Sequence, residues 1–346
     1  MRRAAQRALN PDTVGKELAL RIAIIGAGVA GLTLATRLAG AGHPAVVFDK
    51  GRGVGGRTST RRADDGFRFD HGAQYFTVRD PKFRAFLDRH VPAGAWARWD
   101  GRFGSLEGGQ LVPETRTEAR YVGIPGMNAL CRGLAENLDV RLAAKVASVA
   151  GSPGAWTLVV EGGREEGPFD WVVATAPPVQ SAALLGGLSP IAAEAAGVAM
   201  QACFALLIEG GPGAKLPFDG IRCGDHPVLG WAADDGSKPG REGKATLVVQ
   251  SSNAWAEAHR DDDHPAIAVA LRTAAVEALG LETGETWSES VHRWLHAKPV
   301  EPLGRPCLID REGRLAACGD WCVAGKVEGA FLSGDACASA LLEAFG

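Results

Sequence analysis

The sequence predicts an α/β protein in which a parallel-sheet domain is interrupted by a mixed, largely antiparallel one. Three observations predict it. A short apolar strand runs into a glycine-rich turn and a helix near residue 30. The middle of the chain is dense in strand patterns, and the C-terminal stretch returns to strand, loop and helix. At 346 residues the chain exceeds one comfortable core and suits two interleaved domains.

The first unit sets the pattern. Arg21–Ile25 is apolar up to Gly26 and reads as a buried parallel strand. Gly28–Ala39 carries Leu32, Leu34, Ala35 and Leu38 at helical spacing, and Gly40 and Gly42 act as stop signals. Ala45–Phe48 is a second buried strand ending at Asp49. Further strands are expected at 67–70, 140–150, 156–160 and 170–175, the last broken at Pro177–Pro178. Helices are expected at 81–90, 126–138 and 189–198. Residues 203–208, 228–232 and 245–250 alternate like an antiparallel sheet, followed by a helix at 265–279 and a strand at 288–295. The chain closes with a strand at 315–317 and a helix from 328 to 345.

Composition narrows the function classes. The chain is 46% hydrophobic and 22% charged, which fits a folded core rather than a disordered chain. Thirty-seven basic against 40 acidic residues leave a net charge of −3, without the basic surplus that a dedicated nucleic-acid surface needs. No run of 18 apolar residues points to a membrane span. Forty-six glycines, nearly twice the usual share of about 7%, fit a backbone that approaches a ligand closely at several places. The seven cysteines include no CxxC pair, and Cys318 and Cys322 are spaced CxxxC, so they read as reduced thiols of a cytoplasmic protein with no metal. Residues 1–19, with Arg2–Arg3 but no apolar segment behind them, read as a flexible extension rather than an export signal.

Gly26-Ala27-Gly28-Val29-Ala30-Gly31 is GxGxxG in the required context, after a strand and opening a helix. The first glycine permits the tight turn, the second admits a pyrophosphate, and the third lets helix and strand pack closely. The helix N-terminus offers free N–H groups to phosphate. Asp49, 23 residues after Gly26, stands where a carboxylate holds a ribose hydroxyl. The unit is therefore a Rossmann-type dinucleotide site.

The run Gly51–Ser59, containing Gly55-Gly56-Arg57, follows the acid directly and resembles the second fingerprint of the FAD amine-oxidase superfamily. Gly319-Asp320-Trp321 and Val327-Glu328-Gly329-Ala330 resemble its closing flavin-contact motif. Within that superfamily, Phe69–Thr77 (FDHGAQYFT) and Val327–Phe331 resemble the bacterial renalase-like oxidases, with weaker agreement through 126–130, 172–178, 251–259 and 292–297. The resemblance spans residues 20–346. It implies an amine-oxidase-like two-domain flavoprotein holding non-covalent FAD. It also implies oxidation of the 2- and 6-dihydro isomers of NAD(P)H to NAD(P)⁺, with hydride passing to flavin N5 and oxygen reduced to hydrogen peroxide. The cofactor-binding set it implies is Gly26, Gly28, Ala30, Gly31, Asp49, Lys50, Gly56, Arg57, Thr58, Val146, Gly319 and Asp320, together with Val327, Glu328, Gly329 and Ala330. The last four open a helix whose N-terminus favours the negative charge that reduction puts on the flavin.

A misreduced dihydronicotinamide becomes aromatic on losing hydride, so the protein has mainly to stack and orient it. Gln74, Tyr75, Trp294 and His296 are the candidate substrate residues. The Gln74 carboxamide either pairs with the nicotinamide amide or is satisfied by backbone. His296 stands where the family places Tyr, and His292 shares its face. Trp255 and His259 either line the pocket or serve as core and surface. Amine oxidases of the superfamily carry an aromatic cage residue just before the closing Glu-Gly-Ala, where this chain has Lys326, a cation that repels a protonated amine.

The expected division is a FAD domain from 20–76, 125–182 and 305–346, and a substrate domain from 77–124 and 183–304. Two other readings stay open: an amine or amino-acid oxidase or desaturase on the same scaffold, and a flavin-bound sensor or interaction module without turnover.

Overall fold

The computed structural model describes residues 20–345 apart from 64–65, 116–117, 242–244 and 286; the extension expected at 1–19 lies outside the described residues. Its first layer is a six-stranded sheet in the order Leu308–Asp310, Leu315–Ala317, Trp171–Ala174, Ile22–Ile25, Ala45–Phe48, Asp139–Arg141. All neighbours are parallel except the antiparallel outer strand Leu308–Asp310. Both faces of Ile22–Ile25 are buried. Ile22 and Ile24 meet the Val29–Gly40 and Val327–Phe345 helices, while Ala23 and Ile25 meet Phe48, Phe169 and Val172 on the other side. A strand covered on both faces reads as a continuous apolar run, which is why it is legible without alternation.

A three-stranded antiparallel sheet (Val146–Ser152, Ala155–Val160, Arg164–Phe169) packs below. The larger second layer is a seven-stranded sheet, ordered Ser288–Pro299, Met200–Glu209, Thr246–Ser251, Leu229–Asp234, Gly220–Arg222, Phe103–Glu107, Gln110–Pro113. One face carries Phe204, Leu206, Ile208, Leu247 and Val249 against the His264–Leu279 helix. Asp263, the last of three consecutive aspartates from Asp261, caps that helix by accepting from Ala266 N at 2.8 Å. The opposite face turns toward the glycine-rich loops.

Three expectations are corrected. The strand expected at 140–150 is two strands in different sheets. Between them Ala143 takes φ +51° and donates to Gly51 O at 2.8 Å, and Ala144 donates to Asp49 O at 2.8 Å. The loop after Asp49 thus captures the chain at a point that carries no glycine or proline to announce a turn. The strand expected at 170–175 does end before Pro177–Pro178, at Ala174, and Pro178 then opens a helix that was not expected, Pro178–Leu185; proline at the first helical position lacks only a donor that the helix leaves unused. The helices expected at 126–138 and 189–198 contract to Ala129–Ala135 and Ile191–Ala196, and the strand expected at 288–295 extends through Pro299.

Candidate active site

The glycine-rich stretches converge. Gly26 takes φ +124°, and the Thr175 hydroxyl donates to Ile25 O and Gly26 O, clamping the turn from a neighbouring strand. An ideal Cβ at Gly31 would stand 2.0 Å from Gly26 O, so helix and turn pack backbone on backbone. Gly55 N donates to Ala27 O at 2.9 Å, and a Cβ at Gly56 would lie 3.6 Å from Gly28 Cα. The second fingerprint therefore lies on the first. Arg57 forms a fork with Asp320: Nη1 to Oδ2 at 2.9 Å and Nη2 to Oδ1 at 2.5 Å. The C-terminal motif is thereby tied to the second. Ala30 carries its own contact here, since a Cβ at Gly334 of the last helix would stand 2.4 Å from Ala30 O.

The cradle fits a dinucleotide. A Cβ at Gly28 would meet nothing within 4 Å, and Gly28 supplies no side-chain cap, so the first-turn N–H groups of Val29–Gly40 face open space. Asp49 Oδ2 accepts from Ala27 N and Oδ1 from Gly51 N, both at 2.6 Å. Each oxygen keeps a lone pair for a ribose hydroxyl while the carboxylate also fixes the turn. Val327 opens the last helix, whose first turn has N–H groups without intrahelical partners. Glu328 turns its carboxylate the other way: Oε1 accepts from Arg79 N at 2.6 Å and Asp80 N at 2.7 Å, so only its backbone is left for a ligand. Lys50 is exposed. Thr58 is buried and its hydroxyl donates to Gly55 O at 2.8 Å, inside the loop. The Val146 side chain sits in the apolar core and pairs with Val160.

The candidate substrate residues divide. Gln74 is buried; its amide nitrogen donates to Asp70 O and its oxygen accepts from Lys238 Nζ at 3.2 Å. The carboxamide is spent inside the protein, and its pairing with a substrate amide is withdrawn. Tyr75 lies 5.4 Å from the Trp231 ring and 5.0 Å from the Arg120 guanidinium. Trp294 donates from Nε1 to His71 O at 2.8 Å and stacks on His71 at 5.2 Å. Its ring also closes on Gly72, where a Cβ would stand 2.0 Å from Arg57 O and 3.3 Å from Trp294. This close approach welds the Phe69–Thr77 motif to the second fingerprint. Trp255 and His259 stack together at 4.2 Å, and Trp255 meets Phe204 on the far face of the sheet, so neither lines the pocket.

His296 is half-exposed, and loss of hydration depresses its basicity, with Arg260, Lys50 and Arg57 adding like-charge repulsion. His292, on the same strand face, packs on His71 at 4.5 Å and on Trp294 at 4.4 Å. Burial, then the fields of His71, Arg61 and His264, pull His292 from its ordinary 6.5 down to about 4. His71 is depressed too, by burial first. Both imidazoles are therefore neutral in the folded protein at neutral pH. Because the unfolded chain takes up the proton first, stability is lost as pH falls from 6.5 toward 4. For His292, discounted for partial exposure, the expected loss is about 2 kcal/mol. Thermal unfolding at a series of pH values checks this: the fall between pH 6.5 and 4 should shrink in His292→Gln.

The structure brings forward Gln250, Trp231 and Arg222, which the sequence did not single out. The row His292, Ala205, Gln250, Trp231, Arg222 crosses five neighbouring strands in register. Gln250 Nε2 donates to Gly72 O at 2.7 Å, so this row faces the glycine loops. Among the described residues no group of three or more His, Cys, Asp or Glu is placed to hold a metal, and no helix is long and apolar enough to cross a membrane.

Residues 24–90 match the family model described as an NAD(P)-binding Rossmann-like domain. Over 94% of its length the chain superposes on several solved enzyme structures. A protein from Exiguobacterium sp. 255-15 assigned as a protoporphyrinogen oxidase gives a TM-score of 0.73 at 13% identity, covering 94% of this chain and 99% of that one. Reduced UDP-galactopyranose mutase gives 0.72 at 14% identity, covering 94% of each chain. Putrescine oxidase with putrescine bound gives 0.67 at 14% identity, over 94% of this chain and 99% of that one. The fold is that of the amine-oxidase-like flavoproteins. The 4,4'-diapophytoene desaturases of Staphylococcus haemolyticus (strain JCSC1435) and Staphylococcus aureus (strain Newman) are 48% and 49% identical over 61 residues. That stretch is 18% of this chain and spans only 12% of the desaturases' own length. Together with the cradle, these likenesses support FAD as the cofactor.

Proposed function

We propose that the protein is an FAD-dependent oxidoreductase of the amine-oxidase and desaturase superfamily, and within it a renalase-like oxidase of the 2- and 6-dihydro isomers of NAD(P)H. The observation that carries the reading is the charge around His296. Lys50, Arg57 and Arg260 all bear on it; Asp320 balances Arg57 and Glu257 balances Arg260, which leaves Lys50 and the exposed Lys326, before the last helix, as the cations without a bridging carboxylate among the described residues. A protonated amine is repelled there, whereas a dinucleotide phosphate is drawn in. Trp294, with one ring face on His71, and Tyr75, beside Trp231 and Arg120, are the rings that would stack a planar dihydropyridine.

FAD, when bound, accepts the hydride and passes electrons to oxygen, giving hydrogen peroxide. The chain's part is to orient. Asp49 and the turn hold the adenosine end, the helix N-termini meet pyrophosphate and the reduced ring, and Arg57 with Asp320 holds the middle of the cofactor. Neutral His71 and His292 keep the Trp294 ring in place without adding charge. Burial holds the thiols of Cys131 and Cys322 at about 12 and Cys203 at about 11, which supports non-covalent attachment of the flavin.

The test is anaerobic mixing of the FAD-loaded protein with borohydride-derived NADH isomers while the absorbance near about 450 nm is followed. Rapid bleaching by the isomers and none by amines is the expected result. Bleaching by putrescine or another amine, with the isomers inert, overturns the reading in favour of amine oxidation.

A further inference from the structure

We propose that Arg222 and Arg120 form an anion subsite that takes a phosphate group of the substrate, with Trp231 as its neighbouring donor. The proposal rests on the dinucleotide reading above and locates how that substrate is told from smaller dihydropyridines. Glu114 receives Arg120 Nη2 on one oxygen and Arg222 Nη2 on the other, two guanidiniums on one carboxylate. Arg120 and Glu114 are 5% and 4% exposed, so the cluster is built into the protein rather than laid on its surface. Arg120 is held flat between the Phe103 ring at 3.9 Å and the Tyr75 ring at 5.0 Å.

Arg222 differs from Arg120 in two respects. It keeps 28% exposure, and only its Nη2 is engaged, leaving Nη1 and Nε without a protein partner among the described residues. Each of the two leaves an N–H for a phosphate oxygen, Nε–H on the flank it shares with Nη2 and Nη1–H at the tip of the guanidinium. Beside it in the sheet, Trp231 carries a buried Nε1–H with no acceptor among the described residues. A buried donor left unpaired is costly, and an incoming anion relieves that cost where a neutral ligand does so less well.

Position adds the third observation. Gln250, in the same row, bonds the Gly72 carbonyl beside Arg57 and Trp294. Arg222 lies two strands further along, about 10 Å at ordinary strand spacing. Trp294 itself stands on the outer strand, four strands from Arg222, so Gln250 and the Gly72 contact lie between the two on the same face of the sheet.

The experiment uses the FAD-loaded full chain and two readouts. In the first, inorganic pyrophosphate is titrated against tryptophan fluorescence. Saturable quenching in the wild type that is lost in Trp231→Phe and weakened roughly 10- to 100-fold in Arg222→Gln is expected, with partial recovery in Arg222→Lys. In the second, anaerobic flavin reduction by a dihydro-NAD isomer is compared with reduction by the corresponding dihydronicotinamide riboside, which has no phosphate. Arg222→Gln should raise the ratio of their half-saturating concentrations by roughly the same factor. Equal losses on both substrates, or quenching that Arg222→Gln leaves untouched, overturn the subsite. If neither substrate reduces the wild-type flavin, the proposed activity fails, and pyrophosphate quenching alone decides on the subsite. Flavin absorbance and thermal midpoint identify any variant that has not folded, and where Arg222→Gln is such a variant the Trp231→Phe titration decides between subsite and none.

Discussion

Alanine at Asp70 is expected to cost about 3–5 kcal/mol of stability, the largest single loss in the molecule, read by urea unfolding of the flavin-loaded protein. Asp70 is fully buried. Its Oδ1 accepts from Thr60 Oγ1 at 2.8 Å and Met127 N at 3.0 Å, and its Oδ2 faces Arg241 Nη2 at 2.7 Å and Lys238 Nζ at 3.3 Å. Its own N–H donates to Asp235 Oδ2, and Asp235 pairs with Lys238 at 2.5 Å. Burial pushes the Asp235 carboxyl up against the pull of Lys238, so that acid alone is a poor counter-ion for two buried cations. Removing Asp70 leaves Lys238 and Arg241 facing it in a space closed to water. The double variant Asp70→Asn with Lys238→Met, which removes one charge of each sign, should recover at least about 1 kcal/mol of the loss. A single-variant cost below about 1 kcal/mol would refute the account. Flavin retention should fall with stability, because Asp70 begins the segment that carries His71, Gly72 and Tyr75 to Arg57 and Trp294.

Gly31→Ala is expected to yield a protein that holds FAD roughly 10- to 100-fold more weakly, the equivalent of about 1–3 kcal/mol of overpacking. The added carbon would stand 2.0 Å from Gly26 O and 2.8 Å from Thr175 Oγ1, and Gly26 O belongs to the turn itself. No side chain can rotate away to relieve that contact; the helix has to lift from the strand, and its N-terminus leaves the pyrophosphate. Gly40→Ala, in the last turn of the same helix with nothing within 4 Å, is the control and should be neutral or stabilising by up to about 1 kcal/mol. Flavin absorbance after gel filtration separates the two. Full retention in Gly31→Ala would mean that helix and turn do not need this approach.

The unit from Ile22 to Asp49 was legible because its determinants are local: β-branched residues in a strand covered on both faces, glycines at fixed spacing and an acid at the next strand's end. The Gly55–Arg57 and Gly319–Asp320 stretches were legible only through their resemblance to the superfamily's fingerprints. Gln74 was not, because the groups that satisfy it, Asp70 O and Lys238 Nζ, include one 164 positions away. The turn at Ala143 was missed because its cause is the Asp49–Gly51 loop reached through space, not a turn-forming residue.

The amino-acid order by itself therefore determined the dinucleotide turn, its helix and its acid, since each rests on contacts between residues within about one strand–helix–strand unit. Only the tertiary structure decided which side chains meet across the cleft. The register of antiparallel strands joined by long connections puts His292, Gln250, Trp231 and Arg222 in one row. Such register follows from packing of the whole sheet against its helices, and a shift of one residue would have turned every one of them away.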